Sequence, residues 1–98
     1  MKKYVFYKST YYTTGNLAVG FIGTYQRIKY EDIISVNLPD YTPKGYAYID
    51  TNNYPFAPKL LEEQGIGRDT GIKGRSGFCQ YPLFEIFEDK LIEIGDEE

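Results

Sequence analysis

Apolar and polar positions alternate in short runs through most of the chain, and the runs predict strands. Lys3 to Lys8 (KYVFYK) is aromatic or β-branched on both faces, which predicts a strand covered on both sides or an edge strand packed by Tyr4 and Phe6. A turn at Thr13 to Asn16 separates it from Leu17 to Ile22, where Leu17, Val19 and Phe21 share one face and the small Ala18 and Gly20 the other. Gly15-Asn16 between two such runs predicts a hairpin. Gln26 to Asp32 reads as a polar passage, Ile33 to Leu38 as a third strand ended by Pro39 to Pro43, and Gly45 to Asp50 as a fourth. In that fourth strand Tyr46, Tyr48 and Asp50 face one side, Ala47 and Ile49 the other.

The period changes after the turn at Thr51 to Asn53. Phe56 and Leu60, like Ala57 and Leu61, are four apart and share a helix face. A short helix is predicted from Pro55 or Ala57 to Gln64, with Asn53 or a neighbour as its cap and Gly65 as its left-handed stop. Gly65 to Pro82 reads as a glycine-rich loop. Phe78 to Phe87 and Lys90 to Ile94 then predict a closing hairpin turned at Glu88-Asp89. The expected fold is α+β: a mostly antiparallel sheet of about five or six strands with one short helix packed on one face. Residues 1–98 form a single domain, and 95–98 a frayed acidic tail.

Composition narrows the chemistry. A chain of 98 residues supports one modest core, not two. No histidine and a single cysteine, Cys79, exclude a Cys/His zinc site, a Ser-His-Asp triad, a Cys-His pair and an internal disulfide. Cys79 sits in an apolar context and reads as a small buried hydrophobe. No run has signal-peptide or membrane-spanning length, so the expected setting is cytoplasmic, with no membrane partner. Eleven tyrosines and six phenylalanines suit sheet faces, and tyrosine also lines recognition surfaces.

Charge is unevenly placed. The first thirty residues hold five bases (Lys2, Lys3, Lys8, Arg27 and Lys29) and no acid, while the last eighteen hold seven acids against Lys90. Two readings compete: the terminal segments pair in one sheet with complementary charges, or an acidic face engages a basic partner. Direct nucleic-acid binding is disfavoured for want of clustered bases.

Two stretches carry candidate chemistry. The first holds Gly65, Gly67, Gly71, Gly74 and Gly77 with Arg68, Lys73, Arg75 and Ser76, and closes on Phe78 and Tyr81. Its spacing matches neither the dinucleotide fingerprint nor a P-loop, and the predicted helix-before-strand order is the reverse of what both need. Exposed backbone N–H groups with three bases could still cradle an anion. The second, Asp50 to Tyr54, offers Asn52 and Asn53 as readers of a base edge or amide and Tyr54 as a stacking face. Against these stand a solvated flexible loop and a plain turn closed by Asp and Asn. Asp50 and Asp69 could serve as acid and base, but their spacing does not argue for catalysis.

The chain resembles a family of short uncharacterised proteins, a domain of unknown function, carried by phages and conjugative elements of Gram-positive and gut bacteria. The resemblance spans nearly the whole length in GNLAV (Gly15 to Val19), VNLPDY (Val36 to Tyr41), YIDTNN (Tyr48 to Asn53), LLEEQGIG (Leu60 to Gly67), TGIKGRSGF (Thr70 to Phe78) and YPLF (Tyr81 to Phe84). It implies a mobile-element setting more than a chemistry, and small non-enzymatic proteins of such elements often counter host immunity. With the residues' reading, the expectation is a non-enzymatic counter-defence protein in the host cytosol, without cofactor. The expected activity is sequestration of a nucleotide-derived immune signal by Asn52, Asn53, Tyr54, Arg68, Lys73, Arg75, Ser76 and Tyr81. The alternative is inhibition of a host defence complex, of anti-CRISPR or anti-restriction type, through the acidic face that includes Glu93, Asp96 and Glu97. A homodimer would deepen a shared pocket.

Overall fold

A computed structural model describes residues 4–38 and 42–93, so the expected acidic tail at 95–98 and the segment 39–41 lie outside the described residues. Among the described residues it forms eight strands and one α-helix: β1 (Tyr4–Thr10), β2 (Leu17–Tyr25), β3 (Ile28–Ile33), β4 (Ser35–Val36), β5 (Tyr46–Ile49), α1 (Ala57–Glu63), β6 (Gly67–Ser76), β7 (Cys79–Ile86) and β8 (Ile92–Glu93). A short 3-10 turn, Glu88–Lys90, joins the last two strands. The α+β class is therefore right, but the expected single sheet of five or six strands is not. Two four-stranded sheets form instead, in the orders β3-β2-β1-β8 and β4-β5-β7-β6.

The first sheet is built on the expected hairpin, β1 antiparallel to β2 from Thr10↔Leu17 to Tyr4↔Gly23. The passage after it is not a loop. It turns back as β3, paired from Tyr25↔Ile28 to Gly20↔Ile33. Gln26 and Arg27 make this two-residue turn with φ of 50° and 71°, the positive values a tight hairpin turn needs, though neither residue is glycine. What holds them there is the aromatic packing on both sides. Tyr25 stacks on Phe56 with ring centroids 4.6 Å apart, and Tyr30 lies 5.1 Å from the same ring.

At Ile34 the chain changes sheets. The Ile34 N–H donates to the Val19 carbonyl of β2 at 2.9 Å, and its own carbonyl accepts from the Asp50 N–H, just past β5, at 2.9 Å. Ile33 belongs to the first sheet and Ser35 to the second, so the expected strand Ile33 to Leu38 shortens to two residues. The Ser35 hydroxyl completes the junction by accepting the Val19 N–H at 3.0 Å.

β5 alternates as expected, and each face meets its own cluster. Ala47 and Ile49 join Phe6, Val19, Phe21, Ile34, Phe84 and Ile86 between the sheets, under Ala57, Leu60 and Leu61 of the helix. Tyr48 packs on the outer face with Leu38, Tyr81 and Leu83. The helix lacks the expected Asn cap: its N-cap is Phe56 and no side chain caps it, while Pro58 occupies the first turn, where a missing N–H costs nothing. Its end is as expected. Gly65 has φ 71°, its N–H donates to the Glu62 carbonyl, and the Ile66 N–H donates to the Leu61 carbonyl, a glycine stop sealed by the buried pair Leu61 and Ile66.

The glycine-rich stretch is corrected from loop to strand. Gly67–Ser76 pairs with β7 throughout, apart from a bulge between Asp69 and Lys73. Two features account for the bulge. Pro82 has no N–H to give the ladder, and the Leu83 carbonyl beside it accepts the Thr70 hydroxyl at 2.8 Å instead. Gly74 is required by packing, because a Cβ there would lie 2.5 Å from the Tyr48 ring and 2.7 Å from Leu38. The expected closing hairpin is also corrected: β8 leaves the second sheet and pairs in parallel with β1, at Tyr7↔Ile92 and Lys8↔Glu93. The terminal segments thus do share a sheet, and Lys8 meets Glu88 at 3.3 Å.

Three outcomes test this packing by chemical denaturation. Gly74→Ala loses about 1–3 kcal/mol, the usual cost of overpacking. Gly20→Ala loses less, because its new methyl meets the ring of half-exposed Tyr7, which can swing outward. The double change Gln26→Asn and Arg27→Gly gains about 1 kcal/mol or more, since Asn-Gly adopts positive φ without the side-chain penalty.

Candidate functional site

The structure divides the eight residues expected to form one site. Asn53 closes its own turn: its N–H donates to Asp50 Oδ1 at 3.1 Å and its Nδ2 to Asp50 Oδ2 at 2.9 Å. Asn52 is exposed beside it. Tyr54 packs edge-on against Tyr30 and Phe56, with centroids 6.2 and 6.3 Å away, and burial followed by the charges of Asp32 and Asp50 raises its hydroxyl pKa. Tyr81 is buried in the outer cluster, and its pKa is raised first by a hydrogen bond with Cys79 and then by burial.

The three bases do not converge. Arg68 donates from Nε and Nη2 to Glu85 Oε1 at 3.1 and 2.7 Å. It lies opposite Glu85 in the ladder, on the face of Tyr81 and Leu83, whereas Lys73 and Arg75 lie opposite Pro82 and Gln80 on the other face. Lys73, Arg75 and Ser76 are exposed toward the hairpin end. The alternation of a strand, which a loop would not impose, is what separates them.

A cleft of ≈ 350 Å³ opens at the other end of the second sheet. Three segments line it: Thr10 and Gly15 to Leu17 from the β1–β2 hairpin, Thr42 to Gly45 ahead of β5, and Glu88 from the 3-10 turn. None of the eight expected residues lines this cleft or a second, shallower groove beside β1 and β8. Lys44 is exposed and among the described residues makes no ion pair, while Thr42 is buried at 8% exposure. Glu88, the one carboxylate among the described lining residues, is held by Lys8. Among the described residues the polar lining is thus a cation without an ion pair, two hydroxyls, an amide and an ion-paired acid.

The hairpin wall is fixed from behind. Asn37 Oδ1 accepts the Thr14 hydroxyl at 3.0 Å and Asn16 Nδ2 at 3.3 Å, so the amide lining the cleft is oriented by a second amide. The Tyr11 hydroxyl lies 2.7 Å from Ser35 Oγ, tying the base of the same hairpin to the sheet junction. Gly45, with φ 85°, turns the chain after Lys44, and its carbonyl accepts the Ile86 N–H at 2.9 Å. No motif marks this site in the sequence. Its one local signal is Pro43-Lys44-Gly45, a base set between a residue that fixes φ and one that permits positive φ.

Burial raises the pKa of Tyr11 above its ordinary 10.0, an effect opposed by the Ser35 hydrogen bond and reinforced by the charge of Asp50. The folded chain therefore keeps this proton at a pH where the unfolded chain has lost it, and the stability it contributes is present below about pH 10 and lost above it. Tyr11→Phe should lower the melting temperature at neutral pH, by loss of the Ser35 contact, yet flatten its decline above about pH 10. Melting curves of both proteins across alkaline pH measure the difference.

Among the described residues no helix is long and apolar enough to cross a membrane. No curated protein and no solved structure matches the chain. A model of a domain of unknown function, DUF4313, matches residues 7–98, in keeping with the resemblance that the sequence blocks carry. By that match, which takes in both sheets, the helix and the whole cleft, the chain belongs to the DUF4313 family.

Proposed function

We propose that this protein is a non-catalytic binding protein of a phage or conjugative element, and that it sequesters a nucleotide-derived signal of host immunity in the cleft beside Lys44. The mobile-element setting rests on the sequence resemblance. The observation that carries the binding reading is a lysine with no ion pair among the described residues, lining one cleft with two threonines and a pre-oriented asparagine. Such a set suits a phosphate and its sugar hydroxyls, because the ammonium supplies charge and the neutral groups supply directional hydrogen bonds. Among the described lining residues Glu88 is the one carboxylate, and its engagement with Lys8 favours holding a ligand over turning it over.

Size supports one nucleotide unit. A cleft of ≈ 350 Å³ lies near the lower end of the range for small-molecule sites, about 300–1,000 Å³. A cyclic dinucleotide would be shared between the clefts of two copies, which is the role of the proposed homodimer. A second reading, inhibition of a host defence complex, draws support from another surface, the exposed end of the β6–β7 hairpin. Of the acidic face expected to serve it, Asp96 and Glu97 lie outside the described residues.

Thermal shift against cyclic dinucleotides and ADP-ribose derivatives tests the primary reading. A ligand present at a hundred times its dissociation constant stabilises the fold by about 2.7 kcal/mol. For a domain of this size that raises the melting temperature by roughly ten degrees or more. Lys44→Glu should abolish the shift while leaving the ligand-free melting temperature near that of the wild type. A flat response of the wild type to the whole panel rejects sequestration, and conversion of a ligand, seen by chromatography, rejects the non-catalytic reading.

A further inference from the structure

The end of the β6–β7 hairpin lies far from the cleft and combines features that a solvated strand edge does not need. Among the described residues β6 is an edge strand, with β7 as its one neighbour in the sheet. Its first half closes itself off: at the bulge the Gly71 N–H donates to Asp69 Oδ1 at 2.9 Å and the Ile72 N–H to Thr70 Oγ1 at 3.1 Å. Its second half, Lys73 to Ser76, returns to regular pairing with β7, and among the described residues nothing pairs with its outer backbone edge. That open edge is flanked by two exposed apolar side chains, Ile72 at 58% and Phe78 at 106%.

Charge states what the edge would accept. From Thr70 to Phe84 the chain carries Lys73 and Arg75 and no acid, and neither base makes an ion pair among the described residues. Lysine on an edge strand can serve merely to repel other strands. A fully exposed phenylalanine at the tip does not fit that role, since it invites the contact the charge would prevent. A second copy of the same edge is disfavoured too, because it would bring like charges together.

We propose that Lys73 to Ser76 is a docking edge for an acidic, extended polypeptide segment of a partner protein, which adds as a short strand beside β6. Its backbone pairs with the open edge, its acids face Lys73 and Arg75, and an apolar side chain rests against Phe78. Strand addition supplies affinity through the main chain, and the alternating bases select the partner. The surface bears on the inhibitor reading but does not require it, and it is independent of the Lys44 cleft.

Selection of a displayed library of random dodecapeptides on the full-length protein tests the proposal. The expected pool is acid-rich, with Asp or Glu at alternate positions and an aromatic or aliphatic residue near one end. Fluorescence anisotropy of a peptide from that pool should show about a tenfold or greater loss of affinity for the double variant Lys73→Glu and Arg75→Glu. Exchanging the peptide's acids for lysines should restore binding to that variant. Phe78→Ala should weaken binding without altering the charge preference, and Lys44→Glu should leave it unchanged. A neutral or basic pool, or failure of the charge exchange to restore binding, overturns the proposal. So does a wild-type dimer, seen by sedimentation, that the double variant dissolves while no peptide is enriched, for a second copy would then be the occupant. Melting curves confirm that each variant is folded.

Discussion

Two backbone hydrogen bonds at Ile34 hold the molecule together as one body. Its N–H reaches the Val19 carbonyl in the first sheet and its carbonyl accepts from Asp50 at the end of β5 in the second, at 2.9 Å each. Ile34 is fully buried, so both groups would be costly to leave unpaired, by about 1–3 kcal/mol each. The bend also decides where the core can be. β3 and β4 are successive parts of one extended run that leaves one sheet and enters the other, so the inner faces of the sheets must converge beside it. Phe21, Ile49, Phe84 and Leu61 fill that space, with the helix closing the open side. Ser35 adds the side-chain part of the joint, and Tyr11 ties the β1–β2 hairpin to it.

The second sheet is apolar on both faces, and this explains the features of β6 that first looked functional. β7 sends Phe84 and Ile86 into the main core and Tyr81 and Leu83 into the outer cluster. A strand used on both faces needs a thin neighbour where a ring crosses it. Gly74 is that neighbour, since the Tyr48 ring occupies the space a side chain would take. Gly71 and Gly77, with φ of 87° and 62°, serve the bulge and the hairpin turn. Glycine is abundant here because one ring, one bulge and one turn each require it, not because a phosphate must approach the backbone. The bases around these glycines inherit the alternation of the strand, which puts Arg68 on one face and Lys73 and Arg75 on the other.

What the sequence made legible follows from local physics. β1 was readable from its run of aromatic and β-branched residues, β2 and β5 from their alternation, and the helix because its four-residue spacing ends on Gly65. β3 was missed because Gln26-Arg27 carries no turn signal, and the aromatic cluster that enforces positive φ there is assembled from Tyr25, Tyr30 and the distant Phe56. β8 was assigned to the wrong sheet because a strand of two residues has no pattern of its own, and its partner β1 lies at the far end of the chain. The cleft was invisible for the same reason. Thr10, Asn16, Lys44 and Glu88 are ordinary surface residues until the two sheets bring them together.

β7 relates the two surfaces that remain. Its C-terminal end leads through Ile86, bonded to the Gly45 carbonyl, toward Glu88 in the cleft, and its N-terminal end starts at the hairpin tip beside Phe78. From Gln80, opposite Arg75, to Ile86 is six residues of extended chain, roughly 20 Å. That length is packed on both faces, so it acts as a spacer of fixed length rather than a hinge. Sites so separated and without shared partners contribute additively. A ligand at Lys44 and a partner at Lys73 to Ser76 are therefore independent events on one rigid frame. The charges at the hairpin end can be altered without disturbing the groups that line the cleft.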